Sequence, residues 1–171
     1  MMNKIIVLGP SGTGKTTVGR ILGEKLGLRI LHLDSVYWKK DWENINKIDF
    51  NNYMKDFFKN NSKWVIDGNY THNKHFKYRL DLADTIIFLD FGTQVALKGI
   101  HERANKFKRT SRPDMAEGCN EGIDQVFLQY VAFYYKKRAK LLKAIINKYK
   151  TKKQILIFKS RQEVKDWISA L

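Results

Sequence analysis

Short, wholly apolar runs alternate along this chain with stretches in which apolar residues return every three or four positions. Residues 5–8, 64–66, 86–89 and 155–158 are unbroken runs, and 30–33 is interrupted only by His32. Runs this short, rich in Ile, Val and aromatics, read as strands buried on both faces. Between them Val18, Ile21, Leu22 and Leu26 make a helical stripe ending near Gly27, and Phe50, Met54 and Phe57 make another that Asp49 opens. Thr93 opens a helix through Ile100, Ala104 and Phe107. A long helix over 122–149 comes next, with Val126, Phe127, Tyr130, Tyr134, Leu141 and Ile145 on one side. Ser160 with Glu163 three residues on is a capping box; its helix is expected to bury Val164, Trp167, Ile168 and Leu171. The alternation predicts an α/β fold of three layers, a parallel five-stranded sheet with helices on both faces. Ligands of such sheets sit at the carboxyl ends of the strands.

The loop after the first strand carries the clearest chemistry. Gly9, Pro10, Ser11, Gly12, Thr13, Gly14, Lys15 and Thr16 fit the pattern G-x-x-x-x-G-K-[ST] at every fixed position, directly between a strand and a helix. Glycines let backbone N–H groups converge on phosphate oxygens, and the N-terminus of the helix, with Thr17 in its first turn, adds positive potential. Lys15 reaches the outer phosphates, and the Thr16 hydroxyl is a ligand for Mg²⁺. The pattern predicts ATP and Mg²⁺ as cofactors but is shared by kinases, GTPases and motor ATPases. The N-K-x-D string at 46–49 matches the guanine-reading motif of GTPases, yet it stands before a helix, early in the chain, without a preceding D-x-x-G.

Two acids close early strands: Asp34 in LDSVYW and Asp67 in VIDGNY, with Asp90 a third at the end of 86–89. If the first two strands flank the P-loop strand, Asp34 and Asp67 face the metal or an acceptor hydroxyl, which is most of what phosphoryl transfer requires. Tyr37 and Trp38 come after Asp34, and Asn69 and Tyr70 after Asp67, so these six residues are the candidate acceptor side.

Size and composition bound the rest. A chain of 171 residues with 43% hydrophobic and 13% aromatic residues is expected to fold as one domain over 1–171. Only four apolar residues stand between Lys4 and Gly9, too few for the apolar stretch of a secretory leader, and no run approaches the roughly 18 apolar residues of a membrane span. Cys119 is the single cysteine, so the cytosol is the expected compartment, without a membrane partner. The net charge of +15 does change the picture, because residues 98–153 hold fifteen Lys or Arg against five Asp or Glu. Such an excess invites a polyanion, and nucleic acid is a possible partner.

Taken in order, the P-loop, HLDSVYW, WVIDGNY, ADTIIFLDF, RPDMAEGC and IFKSRQEV resemble the bacterial DNA topology modulation proteins over nearly the whole chain. That family belongs to the adenylate-kinase-like P-loop kinases. The resemblance implies strand order 2-3-1-4-5 with the P-loop strand central. It implies an acceptor-side segment over about 35–63 and a short lid over about 103–121. It makes Asp67 an aspartate that acts on Mg²⁺ through water, and Asp34 the acid facing the acceptor. Arg103, Arg109 and Arg112 fall in the lid, Arg138 enters from the next helix, and Lys159 and Ser160 border the adenine. One departure is plain: residues 35–63 contain lysines but no arginine to clamp a nucleotide monophosphate.

These residues support two functions. One is a kinase moving the γ-phosphoryl group of Mg-ATP to a nucleoside, nucleotide or polyol, with Lys15, the lid arginines and Arg138 stabilising charge, Thr16 and Asp67 holding metal, and Asp34 orienting the acceptor. The other is an ATP-dependent nucleic-acid-binding protein using residues 98–153.

Overall fold

The computed structural model describes residues 2–108 and 110–171. Its core is one parallel sheet of β1 (Lys4–Leu8), β2 (Arg29–His32), β3 (Trp64–Asp67), β4 (Thr85–Leu89) and β5 (Gln154–Phe158), in the order β2-β3-β1-β4-β5. The P-loop strand is thus central. Side chains alternate across a strand, and here both faces are apolar. Ile6, Leu8, Leu31, Ile66, Ile86 and Phe88 join one core cluster, and Ile5, Val7, Val65, Ile87 and Leu89 join the other.

The first cluster is roofed by α3 (Lys47–Asn60), α4 (His75–Leu82) and α7 (Lys140–Asn147), through residues such as Phe50, Met54, Phe76 and Leu142. The second is covered by α1 (Lys15–Leu26) and α8 (Arg161–Ser169) through Val18, Leu22 and Val164. Helix α5 (Thr93–Lys106) packs Ala96 and Ile100 against Val131 of α6 (Gln125–Tyr134).

Several local expectations change. Strand β2 ends one residue early, because Leu33 opens the short α2 (Leu33–Tyr37). Asp49 does not open α3. Asn46 does, its side chain accepting from the N–H groups of Ile48 and Asp49, so the N-K-x-D string is a helix cap. Helix α4 lacks a marked apolar stripe, and the sequence pattern does not predict it. The last residue, Leu171, is 43% exposed beyond the end of α8, while Val164 is buried.

The long helix over 122–149 is the largest revision. Asp124 caps its start by accepting from the Phe127 N–H, and a π turn at Tyr135–Ala139 divides α6 from α7. The extra residue of that turn rotates α7 relative to α6. Val131, Tyr134, Ala139, Leu142 and Ile146 face the core, whereas Val126 and Leu141 are 78% and 61% exposed. Part of the predicted stripe therefore serves a cavity, not the core.

Candidate active site

The P-loop depends on close backbone packing. Gly12 has φ +82°, and a Cβ there would lie 2.1 Å from the Ala96 carbonyl; a Cβ on Gly99 would lie 1.9 Å from the Gly12 carbonyl. Two glycines thus let α5 press against the loop, and Gly99 carries no sequence signal. The Thr13 hydroxyl donates to the Pro10 carbonyl at 2.8 Å, and Lys15 Nζ donates to the same oxygen at 3.0 Å. Gly9 is held from outside: its N–H donates to Asn69 Oδ1 at 3.1 Å, and Asn69 Nδ2 returns a bond to its carbonyl at 2.8 Å. Residues Ser11 through Thr17 line a cleft of about 750 Å³ that extends past Phe91, Glu102, Lys106 and Arg161.

Strand register sets the acids beside this cleft. Asp67 is opposite both Val7 of β1 and His32 of β2. It is buried, accepts from the Thr16 hydroxyl at 2.7 Å through Oδ2, and pairs with His32 Nδ1 at 2.9 Å through Oδ1. Burial would depress the His32 imidazolium, but the hydrogen bond and charge of Asp67, with Asp114 and Asp34 behind it, carry it above its ordinary value. Asp34, in the first turn of α2, accepts from the Tyr70 hydroxyl at 2.6 Å. Burial and the Asp34 carboxylate together push the Tyr70 phenol far up, so Tyr70 remains a donor. Lys15 is pulled below its ordinary value, chiefly by burial and further by Arg103 and Arg112, with Asp34 and Asp67 opposing.

The acids lead to a second cavity, about 860 Å³, whose walls include Tyr37, Trp38, Asn69, Tyr70, Tyr130 and Tyr134. The predicted stripe of the long helix reappears here: Phe127, Tyr130, Tyr134, Leu141 and Ile145 all line it. Arg138, in the π turn, faces this cavity with its guanidinium over the Tyr130 ring at 5.0 Å. The turn that begins at Gly68 has Tyr70 at φ +38°, a costly conformation for a non-glycine residue. It is buttressed by Arg79 of α4, whose amino groups donate to the Gly68 carbonyl at 3.0 Å and the Asn69 carbonyl at 2.8 Å. Arg79 is buried, and burial pushes it down to about 9 against weak support from Tyr70. It escapes sequence reading, since a lone arginine in an unpredicted helix gives no signal.

The lid arginines separate into described and undescribed. Arg109 lies outside the described residues. Arg103, from α5, donates through Nε to Glu121 Oε2 at 3.1 Å. Arg112, 8% exposed, brings Nε within 2.6 Å of Glu121 Oε1 and Nη1 within 2.9 Å of Asp114 Oδ2. Those Arg112 contacts are charge proximity, since neither carboxylate oxygen receives an aligned N–H. Lys159 and Ser160 are engaged elsewhere. Lys159 and Lys143 both pair with the buried Asp90, and Ser160 caps α8 by accepting from the Glu163 N–H at 3.1 Å. Neither lines the cleft; the next residue, Arg161, does, held by Glu102 at 2.9 Å. Asp90 is thereby tied into the fold between β4, α7 and β5.

Ser11, Lys15, Asp34, Gly68, Arg103 and Arg112 line both cavities. The two spaces therefore meet at one point, with the P-loop lysine, two arginines and an aspartate around it.

Comparison with known proteins agrees with this geometry. The family model for shikimate kinase matches residues 11–76, from the P-loop to the start of α4. Mouse threonine synthase-like 1 is 30% identical over 146 residues, covering 78% of this chain but 18% of that protein. The chain thus spans about a fifth of the length of that relative. Shikimate kinase from Acinetobacter baumannii, solved in complex with shikimate, superposes with TM-score 0.55 at 16% identity, over 99% of this chain and 90% of that one. Deoxyadenosine kinase from M. mycoides with bound dATP gives TM-score 0.54 at 16% identity, over 97% and 95%. The five-stranded order, the P-loop on the central strand and these likenesses establish that this chain has the P-loop kinase fold.

Proposed function

We propose that this protein transfers the γ-phosphoryl group of Mg-ATP to a hydroxyl of a small acceptor. The observation that carries the reading is the meeting of two cavities at Lys15, Asp34, Arg103 and Arg112. The cleft lined by Ser11 to Thr17 takes the nucleotide, and the aromatic-walled cavity takes the acceptor. In the transfer, the acceptor oxygen forms a bond to the γ-phosphorus as the bond to the β,γ-bridging oxygen breaks. The electron pair leaves on the β-phosphate as ADP, and the hydroxyl proton passes to Asp34.

The chain's own groups divide the work. Lys15 and the arginines lower the cost of charge spread over the transferring group, and Asp34, oriented by Tyr70, aligns the nucleophile. Thr16 and Asp67 are hard oxygen donors already 2.7 Å apart beside the phosphate loop, which suits Mg²⁺. Held there, the ion would supply positive charge against the phosphates. On the nucleotide side Arg161, which lines the cleft, takes the place expected of Lys159 and Ser160. Arg138 serves the acceptor.

Rings bound the acceptor cavity, so a ring-bearing nucleoside, nucleotide or polyol is the class we infer; the neighbours that take shikimate and dATP support that range. Membership in the DNA topology modulation group, Mg²⁺ dependence and a cytoplasmic location belong to the same reading. It is tested by ATP consumption across a panel of nucleosides, nucleotides and polyols. Lys15→Ala is expected to abolish turnover, and chelation of Mg²⁺ to do the same, while the circular dichroism spectrum of the variant stays that of the parent. Unchanged phosphoryl transfer in Lys15→Ala ends the proposal.

A further inference from the structure

We infer that Glu121 is a positioning residue for phosphoryl transfer, holding Arg103 and Arg112 side by side at the junction of the two cavities; this rests on the kinase reading above. The carboxylate is 2% exposed and stands between two guanidiniums from different parts of the chain, one on α5 and one in the lid. It meets both through Nε, at 3.1 Å for Arg103 and 2.6 Å for Arg112. Among the described residues neither amino group of Arg103 donates a hydrogen bond, and Arg112 keeps its Nη2. For Arg103 this side-on hydrogen bond fixes the guanidinium plane while leaving the terminal N–H groups for a bidentate phosphate contact. For Arg112 the carboxylate acts through its charge, holding the guanidinium close without an aligned N–H. Without Glu121 the cations would repel one another: burial lowers both Lys15 and Arg103, and neighbouring cations lower them further, Arg103 and Arg112 acting on Lys15 and Arg112 on Arg103.

The grip is itself anchored. The Glu121 N–H donates to the Thr110 carbonyl at 2.9 Å, which closes the lid turn. On the acceptor side, Trp42 Nε1 donates to the Asn120 carbonyl at 3.2 Å and Cys119 Sγ to the Lys39 carbonyl at 2.9 Å. Glu121 is therefore where the lid, α5 and the wall of the acceptor cavity are joined, and the arginines take their places from that junction.

The test compares parent, Glu121→Gln, Arg103→Lys and the double variant in basal hydrolysis of MgATP to water, which needs no identified acceptor, and in MgATP affinity by calorimetry. Glu121→Gln is expected to lower turnover by about 10- to 100-fold, the scale of a misplaced catalytic group. Affinity should change by less than about threefold, because the arginine charges remain. The double variant should lose less than the product of the separate losses, since one residue acts through the other. If Glu121→Gln melts far below the parent, Glu121→Asp, which keeps the charge but cannot span both guanidiniums, should fold and show the same split. A parent that hydrolyses MgATP beside a folded variant within twofold of it, or losses that simply multiply, overturns the role of Glu121 alone. A parent that neither binds nor hydrolyses MgATP overturns the kinase reading and this inference together.

Discussion

At the scale of single residues, the turn Gly68–Asn69–Tyr70 concentrates the most consequence. Asn69 braces Gly9, Tyr70 orients Asp34, and Arg79 holds the carbonyls of Gly68 and Asn69 beneath them. Arg79 is a buried cation supported by two carbonyl bonds and the Phe76 ring, 5.3 Å away. Two charge-assisted bonds stabilise by roughly 1.5–3 kcal/mol each, while burying the guanidinium costs an amount of the same order. Arg79→Met should therefore change stability by less than about 2 kcal/mol in urea titration, yet lower ATP turnover about tenfold as the turn loosens. A variant that loses stability but keeps its rate would show Arg79 to be purely structural.

At the scale of elements, local sequence and tertiary setting compete visibly. The N-K-x-D string works as a cap, with Asn46 accepting two N–H bonds and donating to Asp49 at 2.6 Å. Asn46→Ala should cost about 1 kcal/mol of stability and leave the preference between ATP and GTP unchanged; a switch in nucleotide preference would mean the string reads the base. The π turn after α6 is a second case. Its inserted residue lets the Tyr135 hydroxyl accept from the Gly92 N–H at 2.8 Å, while Arg138 enters the cavity. Such turns are frequent at functional sites.

For the whole molecule, charge is the quantity to explain. Of the net charge of +15, part faces the two cavities through Lys15, Arg103, Arg112 and Arg138. Lys143 and Lys159 neutralise Asp90 in the fold. The remaining lysines are mostly solvated, for instance Lys77 and Lys98, which among the described residues pair with acids one helical turn away. If that surplus serves solubility, duplex DNA binding should be weak and non-specific near physiological salt. A filter-binding or anisotropy titration over a range of salt concentrations checks this, because a true footprint of roughly six to ten phosphate contacts loses about 10³–10⁵ in affinity between about 50 and 200 mM salt. Tight binding with such a slope would restore the nucleic-acid reading. No described helix is long and apolar enough to cross a membrane.

What the sequence alone determined is what local and short-range patterns encode. The five strands, the layered α/β architecture and the phosphate loop were legible because short apolar runs bounded by turns, and a glycine-rich loop after one of them, admit few other conformations. Burial on both faces holds for the central strands but not for the edge strand β5, where Ile157 is 45% exposed, and Asp34 lies in α2, just past its strand. Strand order was legible through resemblance, since no local pattern states which strands pair. Tertiary structure decided the rest. Leu141 and Val126 share a helical stripe with Tyr134, but only the π turn and the neighbouring elements fix which of them meets core, cavity or water. Gly99, Arg79 and Glu121 carry no motif, because no local repeat encodes their partners: Gly12 far back in the chain, the turn at Gly68, and two arginines from α5 and the lid. Contacts of that kind exist only once helices, turns and lid have packed around the sheet.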